Sequence, residues 1–159
     1  MRYVSALLGA VVSFGLAAMV LPNPDSSRTS ALEFNQADVA GVEAAVLDYV
    51  EGLYDVKPER IAKSVSRDLV KFGFWRRSDA DEYRGSPMTY DQLYDLASKW
   101  NVNNKMKLDS DTPKEIKVLD VLDKTATAKL TAQWGVDYFQ LEKSDDKWMI
   151  RHVLWQSHP

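Results

Sequence analysis

Between Lys114 and Trp155 the chain divides into four stretches of alternating residues, joined by three short turns. Period-two alternation broken only by tight turns describes an antiparallel meander. Asp145-Asp146 is the natural two-residue loop between the last two strands. It pairs Leu141 with Ile150, Phe139 with His152 and Asp137 with Leu154. Trp134-Gly135, taken as the preceding loop, pairs Ala132 with Asp137 and Leu130 with Phe139. The two registers agree and set Leu130, Phe139 and His152 in one row, an agreement that a one-residue slip would destroy. Asp123-Lys124 is a third candidate turn. The shared face then carries Ala126, Ala128, Leu130 and Ala132, next Asp137, Phe139 and Leu141, and last Trp148, Ile150, His152 and Leu154. Small and aromatic side chains with two ionisable groups among them suit the inner wall of a curved sheet.

The opposite face is mixed. Tyr138, Met149, Arg151, Val153 and Trp155 make it too apolar for bare water, and a second copy of the chain packed sheet on sheet would cover it.

Upstream, Val39, Val42, Ala45, Val46, Tyr49, Val50 and Leu53 follow the three-four spacing of one helix face, from Asp38 to about Tyr54. Pro58 suits a first helical turn, opening the short run to Ser64. Leu69 to Arg76 alternates Val70, Phe72 and Phe74 against Lys71 and Gly73 and reads as a strand. Ser78 to Pro87 reads as a hairpin whose return strand includes Tyr83 and Arg84. Thr89-Tyr90-Asp91-Gln92 is a capping box opening a helix to about Trp100, and Asn101 to Thr112 is a polar loop. Helices followed by a meander predict an α+β domain, with helices on one face of a curved antiparallel sheet.

At 159 residues the chain has room for one domain. A formal charge of −3 without a dense basic run opposes nucleic-acid binding. The lack of cysteine excludes disulfides, thiolate metal sites and cysteine nucleophiles, and His152 and His158 are the only imidazoles. No metal site and no cofactor is expected. Arg2 precedes an apolar stretch from Val4 to Leu21, and a Pro- and Ser-containing segment follows to Ser30. This pattern predicts a secretory signal over residues 1–31, with residues 32–159 folded outside the cytoplasm, periplasmic or secreted. The stretch acts as a membrane anchor if uncleaved, and no other contact with the membrane is expected.

The motif Tyr49-Val50-Glu51-Gly52-Leu53-Tyr54 leads into Pro58-Glu59-Arg60-Ile61, and Asp68-Leu69-Val70-Lys71 follows. The ending runs Tyr138-Phe139-Gln140-Leu141-Glu142-Lys143, Lys147-Trp148-Met149-Ile150 and Leu154-Trp155. In order and spacing, from about Val42 to Trp155, the chain resembles the putative lumazine-binding family of the nuclear-transport-factor-2-like (NTF2-like, SnoaL-like) superfamily. The resemblance implies a cone-shaped α+β fold, in which a curved sheet wraps a helix-capped cavity, commonly as a dimer. Members often carry a His just before the first strand. Ser66 or Arg67 stands in that region here, so no role of that imidazole carries over.

Two functional readings follow. In the first, an exported domain binds a small, partly apolar molecule without catalysis, in a site drawn from Tyr49, Tyr54, Phe72, Trp100, Leu130, Asp137, Phe139, Trp148 and His152. In the second, Asp137 and His152, diagonal on adjacent strands, act as acid and base in a small isomerase or dehydratase. The superfamily's likeness to ketosteroid isomerase invites that idea. Against it, Asp137 could satisfy turn amides and His152 could be a hydrogen-bonded core residue. The basic corner Trp75-Arg76-Arg77 is followed at once by Asp79, Asp81 and Glu82, which neutralise it. Asp109, Asp111 and Asp120 lack the glycine and spaced glutamate of a calcium loop.

Overall fold

The computed structural model describes residues 24–158, with side chains from residue 36 onward. The signal segment of the sequence reading lies largely outside the described residues. The elements run α1 (Pro24–Tyr54), α2 (Pro58–Ser64), β1 (Val65–Trp75), β2 (Arg84–Met88) and α3 (Tyr90–Ala97), then a 3-10 turn (Val102–Asn104). Four strands complete the chain: β3 (Lys114–Val121), β4 (Thr125–Ala132), β5 (Gly135–Ser144) and β6 (Lys147–Ser157). Among these helices, none is long and apolar enough to cross a membrane.

Helix α1 buries Val42, Ala45, Val46, Tyr49, Val50 and Leu53, the stripe its spacing predicts. It starts at Pro24 rather than near Asp38, so residues 24–31, expected in a linker, are helical. Pro58 opens α2, as expected of a residue that has no N–H to lose there. The capping box at α3 is complete: Thr89 Oγ1 accepts from the Gln92 amide and Gln92 Oε1 accepts from the Thr89 amide.

The sheet has the order β2-β1-β6-β5-β4-β3. The expected hairpin between β1 and β2 and the meander from β3 to β6 are antiparallel. The sheet as a whole is mixed, because β6 inserts between β5 and β1 and runs parallel to β1. A strand that arrives last can fill that gap only in the direction its preceding turn imposes.

Two turns are where the alternation places them. Asp145 and Asp146 both have positive φ, 48° and 59°, as a type I′ hairpin turn requires. Asp123-Lys124 closes the hairpin between β3 and β4, with the Leu122 amide donating to the Thr125 carbonyl. The middle turn is Gln133-Trp134, not Trp134-Gly135. Ala132 pairs with Gly135 and Leu130 with Asp137, so this register is two residues tighter than predicted. An even shift preserves every face. Gly135, at φ 146°, lies so close to β6 that a Cβ would stand 2.0 Å from the Gln156 carbonyl oxygen.

The decisive departure is a bulge in β6. Leu141 pairs with Ile150, but Gln140 pairs with His152, which leaves Arg151 without an opposite residue. The side chain of Arg151 reaches Ser66 Oγ at 3.1 Å, Asp68 at 2.9 Å and Glu142 at 3.5 Å, anchoring the extra residue where β1 is also irregular. Beyond the bulge, parity inverts. Val153 is buried and Trp155 packs on the core, whereas His152 and Leu154 are exposed. The predicted row of Leu130, Phe139 and His152 therefore does not form. Strand β1 is also inverted relative to expectation. Lys71 and Gly73 face the core, and Val70, Phe72 and Phe74 face out.

The inner wall is built from Ala126, Ala128, Leu130, Ala132, Asp137, Phe139, Leu141, Trp148, Ile150 and Val153, closed by α1 and α3.

Candidate functional site

A fully buried ion pair sits in the interior. Lys71 comes from the middle of β1 and Asp137 from the start of β5, with side chains 4% and 0% exposed. Lys71 Nζ lies 3.2 Å from Asp137 Oδ1 and donates to Tyr49 OH at 2.8 Å. Tyr49, from the buried stripe of α1, donates to Asp137 Oδ1 at 3.3 Å. Trp134, in the turn before β5, donates its indole N–H to Asp137 Oδ2 at 2.5 Å. Asp137 thus accepts from three side-chain donors, drawn from α1, β1 and the turn before β5. The expected alternative, that Asp137 satisfies turn amides, is replaced by these side-chain donors.

Burial lowers the pKa of Lys71 from its ordinary value, and the charge of Asp137 opposes that shift. Burial, reinforced by Asp137, pushes the Tyr49 phenol well up, so Tyr49 stays protonated as a donor. Two of the three ammonium protons of Lys71 are taken by Tyr49 and Asp137; one remains.

Beside this pair lies a cavity of about 90 Å³, lined by Tyr49, Leu53, Lys71, Met88, Leu93, Leu96, Trp100, Trp134 and Trp155. Trp155 packs on Gly73, where a Cβ would fall 1.8 Å from its Nε1. Lys71 Nζ sits 5.2 Å from the centre of the Trp155 ring and 5.5 Å from that of Tyr49, within cation–π range. The buried Trp155 Nε1 has no hydrogen-bond partner among the described residues. Trp134 stands edge-on to Trp100 at 5.3 Å and to Tyr54 at 5.6 Å, and Tyr54 stacks on Trp100 at 5.8 Å. Tyr54 is itself pinned, donating to the Pro113 carbonyl at 2.6 Å and accepting from the Gln133 amide at 2.8 Å. Asn101 holds the loop after Trp100 to the end of α1 through the Tyr54 carbonyl, at 2.8 Å.

The sequence-predicted site residues separate into four groups. Tyr49 and Trp100 line the cavity, with Asp137 and Tyr54 directly behind them. Leu130 and Phe139 are core, Phe139 standing edge-on to Tyr49 at 5.1 Å. Trp148 lies apart, donating to Asp38 Oδ1 at 3.0 Å. Phe72 and His152 are on the outer face, where His152 Nδ1 is 2.7 Å from Gln140 Oε1. Asp137 and His152 are therefore on opposite sides of the sheet, and no acid–base pair joins them. Among the expected dimer residues, Val153 and Trp155 turn inward.

Sequence reasoning missed Lys71, Trp134 and Trp155. One signal was available: Lys71 and Gly73 share a face of β1, a cation next to the space a glycine leaves.

A helix-capped curved sheet enclosing a small polar-centred cavity defines a protein of the NTF2-like fold class. Residues 37–156 match the family described as "Putative lumazine-binding", and the chain belongs to that family. An NTF2-like protein of unknown function from Silicibacter pomeroyi DSS-3 superposes with a TM-score of 0.58 at 12% identity, covering 78% of this chain and 98% of that one. A second, from Methylobacillus flagellatus KT, gives 0.56 at 19% identity, covering 77% and 93%. A protein titled a putative scytalone dehydratase, from Novosphingobium aromaticivorans DSM 12444, gives 0.50 at 12% identity, covering 80% and 89%. At these identities the likeness is one of fold. No curated protein matches the chain.

Proposed function

We propose that this protein binds a small, partly apolar molecule bearing a hydrogen-bond acceptor, in the cavity beside Lys71. The observation that carries this reading is a wall of Trp100, Trp134, Trp155, Leu93 and Leu96 interrupted by a single ammonium with a proton to spare. Sites of this kind take apolar mass from the walls and orientation from a few polar groups. Trp155, its indole resting on Gly73, extends the same apolar wall. Size narrows the occupant. Benzene fits an engineered cavity of about 150 Å³, whereas this cavity measures about 90 Å³. A bicyclic pteridine is larger than benzene and does not fit this conformation.

The geometry favours binding over acid–base catalysis. Asp137 stands behind the cavity wall, accepting from three donors, and His152 stands outside the cavity. Export is part of the same proposal, on the strength of Arg2 and the apolar stretch after it. So is a homodimer, through a revised face. Val70 (60% exposed), Phe72, Phe74, Tyr138 and Leu154 (52%) line adjacent strands β1, β6 and β5. A second copy is the fitting occupant, because the rim of Arg151, Glu142 and Asp68 carries both signs of charge.

Titration with acetamide and acetate should give saturable changes in tryptophan emission and a raised unfolding temperature. No saturable response to either, together with no small molecule retained in native mass spectrometry of protein from its own host, would remove the binding reading. For the dimer, sedimentation should show two copies for the unaltered chain and one for Leu154→Lys. A monomeric unaltered chain refutes it.

A further inference from the structure

We infer that Lys71 captures short-chain aldehydes or ketones as a reversible imine, which names the chemical class of occupant for the cavity proposed above and rests on that reading. Three observations converge on this residue. Lys71 lines the cavity, and its Nζ lies 5.2 Å and 5.5 Å from the ring centres of Trp155 and Tyr49, which line it too, so a carbonyl carbon between these walls stands near the amine. The residue is desolvated, and a lysine in apolar surroundings gives up its proton more readily than one in water. Two proton-handling groups touch it: Asp137 at 3.2 Å and Tyr49 at 2.8 Å, which are also in contact with each other.

The step balances without any other reactant. The ammonium of Lys71 passes one proton to Asp137, and the free amine attacks the carbonyl carbon, forming a C–N bond as the carbonyl π bond opens. The proton held by Asp137 moves through Tyr49, which lines the cavity, to the new alkoxide, giving a carbinolamine. Tyr49, bridging nitrogen and carboxylate, relays a second proton from nitrogen to the hydroxyl. The C–O bond then breaks and water leaves. One ammonium and one carbonyl become one iminium and one water. The iminium charge on nitrogen stands beside the same Asp137 carboxylate that balanced the ammonium, so the buried charge pair is restored in the product.

Size sets the substrate range. At the ~30 Å³ that a water occupies in the liquid, a cavity of about 90 Å³ holds three or four heavy atoms. Acetaldehyde, propanal and acetone satisfy this; branched or ring carbonyls do not. Leu93, Leu96 and Met88 provide the apolar wall for the alkyl end.

The test is reductive trapping. The full chain is incubated with limiting propanal and cyanoborohydride near neutral pH, then mapped by peptide mass spectrometry. Lys71 should acquire the propyl group at least ten-fold faster than exposed lysines such as Lys57 and Lys63. Tyr49→Phe should slow the trapping of Lys71 at least ten-fold while that of Lys57 and Lys63 stays unchanged. Acetamide binding to the unaltered chain reports occupancy apart from imine chemistry, since acetamide has the same heavy-atom count as propanal but forms no imine under these conditions. Mapping the unaltered chain requires no variant to fold. If acetamide binds but Lys71 is trapped no faster than exposed lysines, the imine inference fails and the binding function stands. If neither acetamide nor propanal registers at the cavity, both fail.

Discussion

Lys71 and Asp137 meet at 3.2 Å across β6, the strand that separates β1 from β5. Neither charge reaches water, and Asp137 is satisfied by groups from three different parts of the chain: α1 through Tyr49, β1 through Lys71 and the β4–β5 turn through Trp134. The pair ties the sheet to the helix at the point where the cavity opens.

Breaking this pair from either side should be costly. Lys71→Met strands a buried carboxylate, and Asp137→Leu strands an ammonium together with the donors of Tyr49 and Trp134. Each single change should destabilise by about 3–5 kcal/mol. The double variant Lys71→Met/Asp137→Leu buries no uncompensated charge and should lose less than the sum, by roughly 1–3 kcal/mol. Urea unfolding of the four proteins measures this, and strict additivity would contradict the ion pair.

The bulge at Arg151 makes a prediction opposite to unbroken alternation. With His152 outside and Val153 inside, His152→Ala should change stability by no more than about 0.5 kcal/mol. Val153→Ala should cost about 2 kcal/mol, from lost methyl burial and the void left behind. Chemical denaturation of the two variants gives the order directly. Unbroken alternation requires the reverse.

That inversion marks where the sequence stops being legible. The turns at Asp145-Asp146 and Asp123-Lys124, the capping box at Thr89 and the stripe of α1 are local signals, each with its own short-range physics, and each lies where the pattern places it. The two-residue error at Gln133-Trp134 left the faces unchanged because side chains repeat every second residue. The bulge is different. It depends on Arg151 finding Ser66 and Asp68 on β1, a strand more than eighty residues away. Nothing in the alternation of β6 announces it. For β1 the difficulty is that both faces carry apolar groups, once Lys71 is matched with Asp137 and Gly73 is covered by Trp155. Period two separates two faces and does not say which is inside. Tyr49, Trp100 and Asp137 were found because local pattern placed them; Lys71, Trp134 and Trp155 were missed because tertiary contacts place them.

Gly73 supplies the seat for Trp155. Gly73→Ala puts a methyl where the indole now lies, and the ring must leave its place against β1. The expected cost is about 1–3 kcal/mol, typical of overpacking, accompanied by a changed tryptophan emission as Trp155 gains water. Unaltered emission with unaltered stability would mean that Trp155 does not rest on Gly73.

The far end of the sheet predicts an acid limit. Asp38 is buried on α1, accepting from Lys143 Nζ at 2.6 Å and Trp148 Nε1 at 3.0 Å. The Lys143 hydrogen bond first, aided by Trp148 and the lysine's charge, holds its pKa below the ordinary 3.8, against the opposing effect of burial. A carboxylate with a depressed native pKa adds stability in full above its unfolded value and loses it as pH falls through the native one. In the unfolded chain Asp38 titrates near 3.8, so between that value and its lower native one the unfolded state binds more protons and stability falls. Asp38→Asn removes this titration. The variant should be less stable than the unaltered chain near neutrality, and the gap should narrow as pH drops below about 4. Urea midpoints measured from about pH 6 to about pH 2 report the gap directly. A gap that stays constant across the range would show that Asp38 is not held ionised by Lys143 and Trp148.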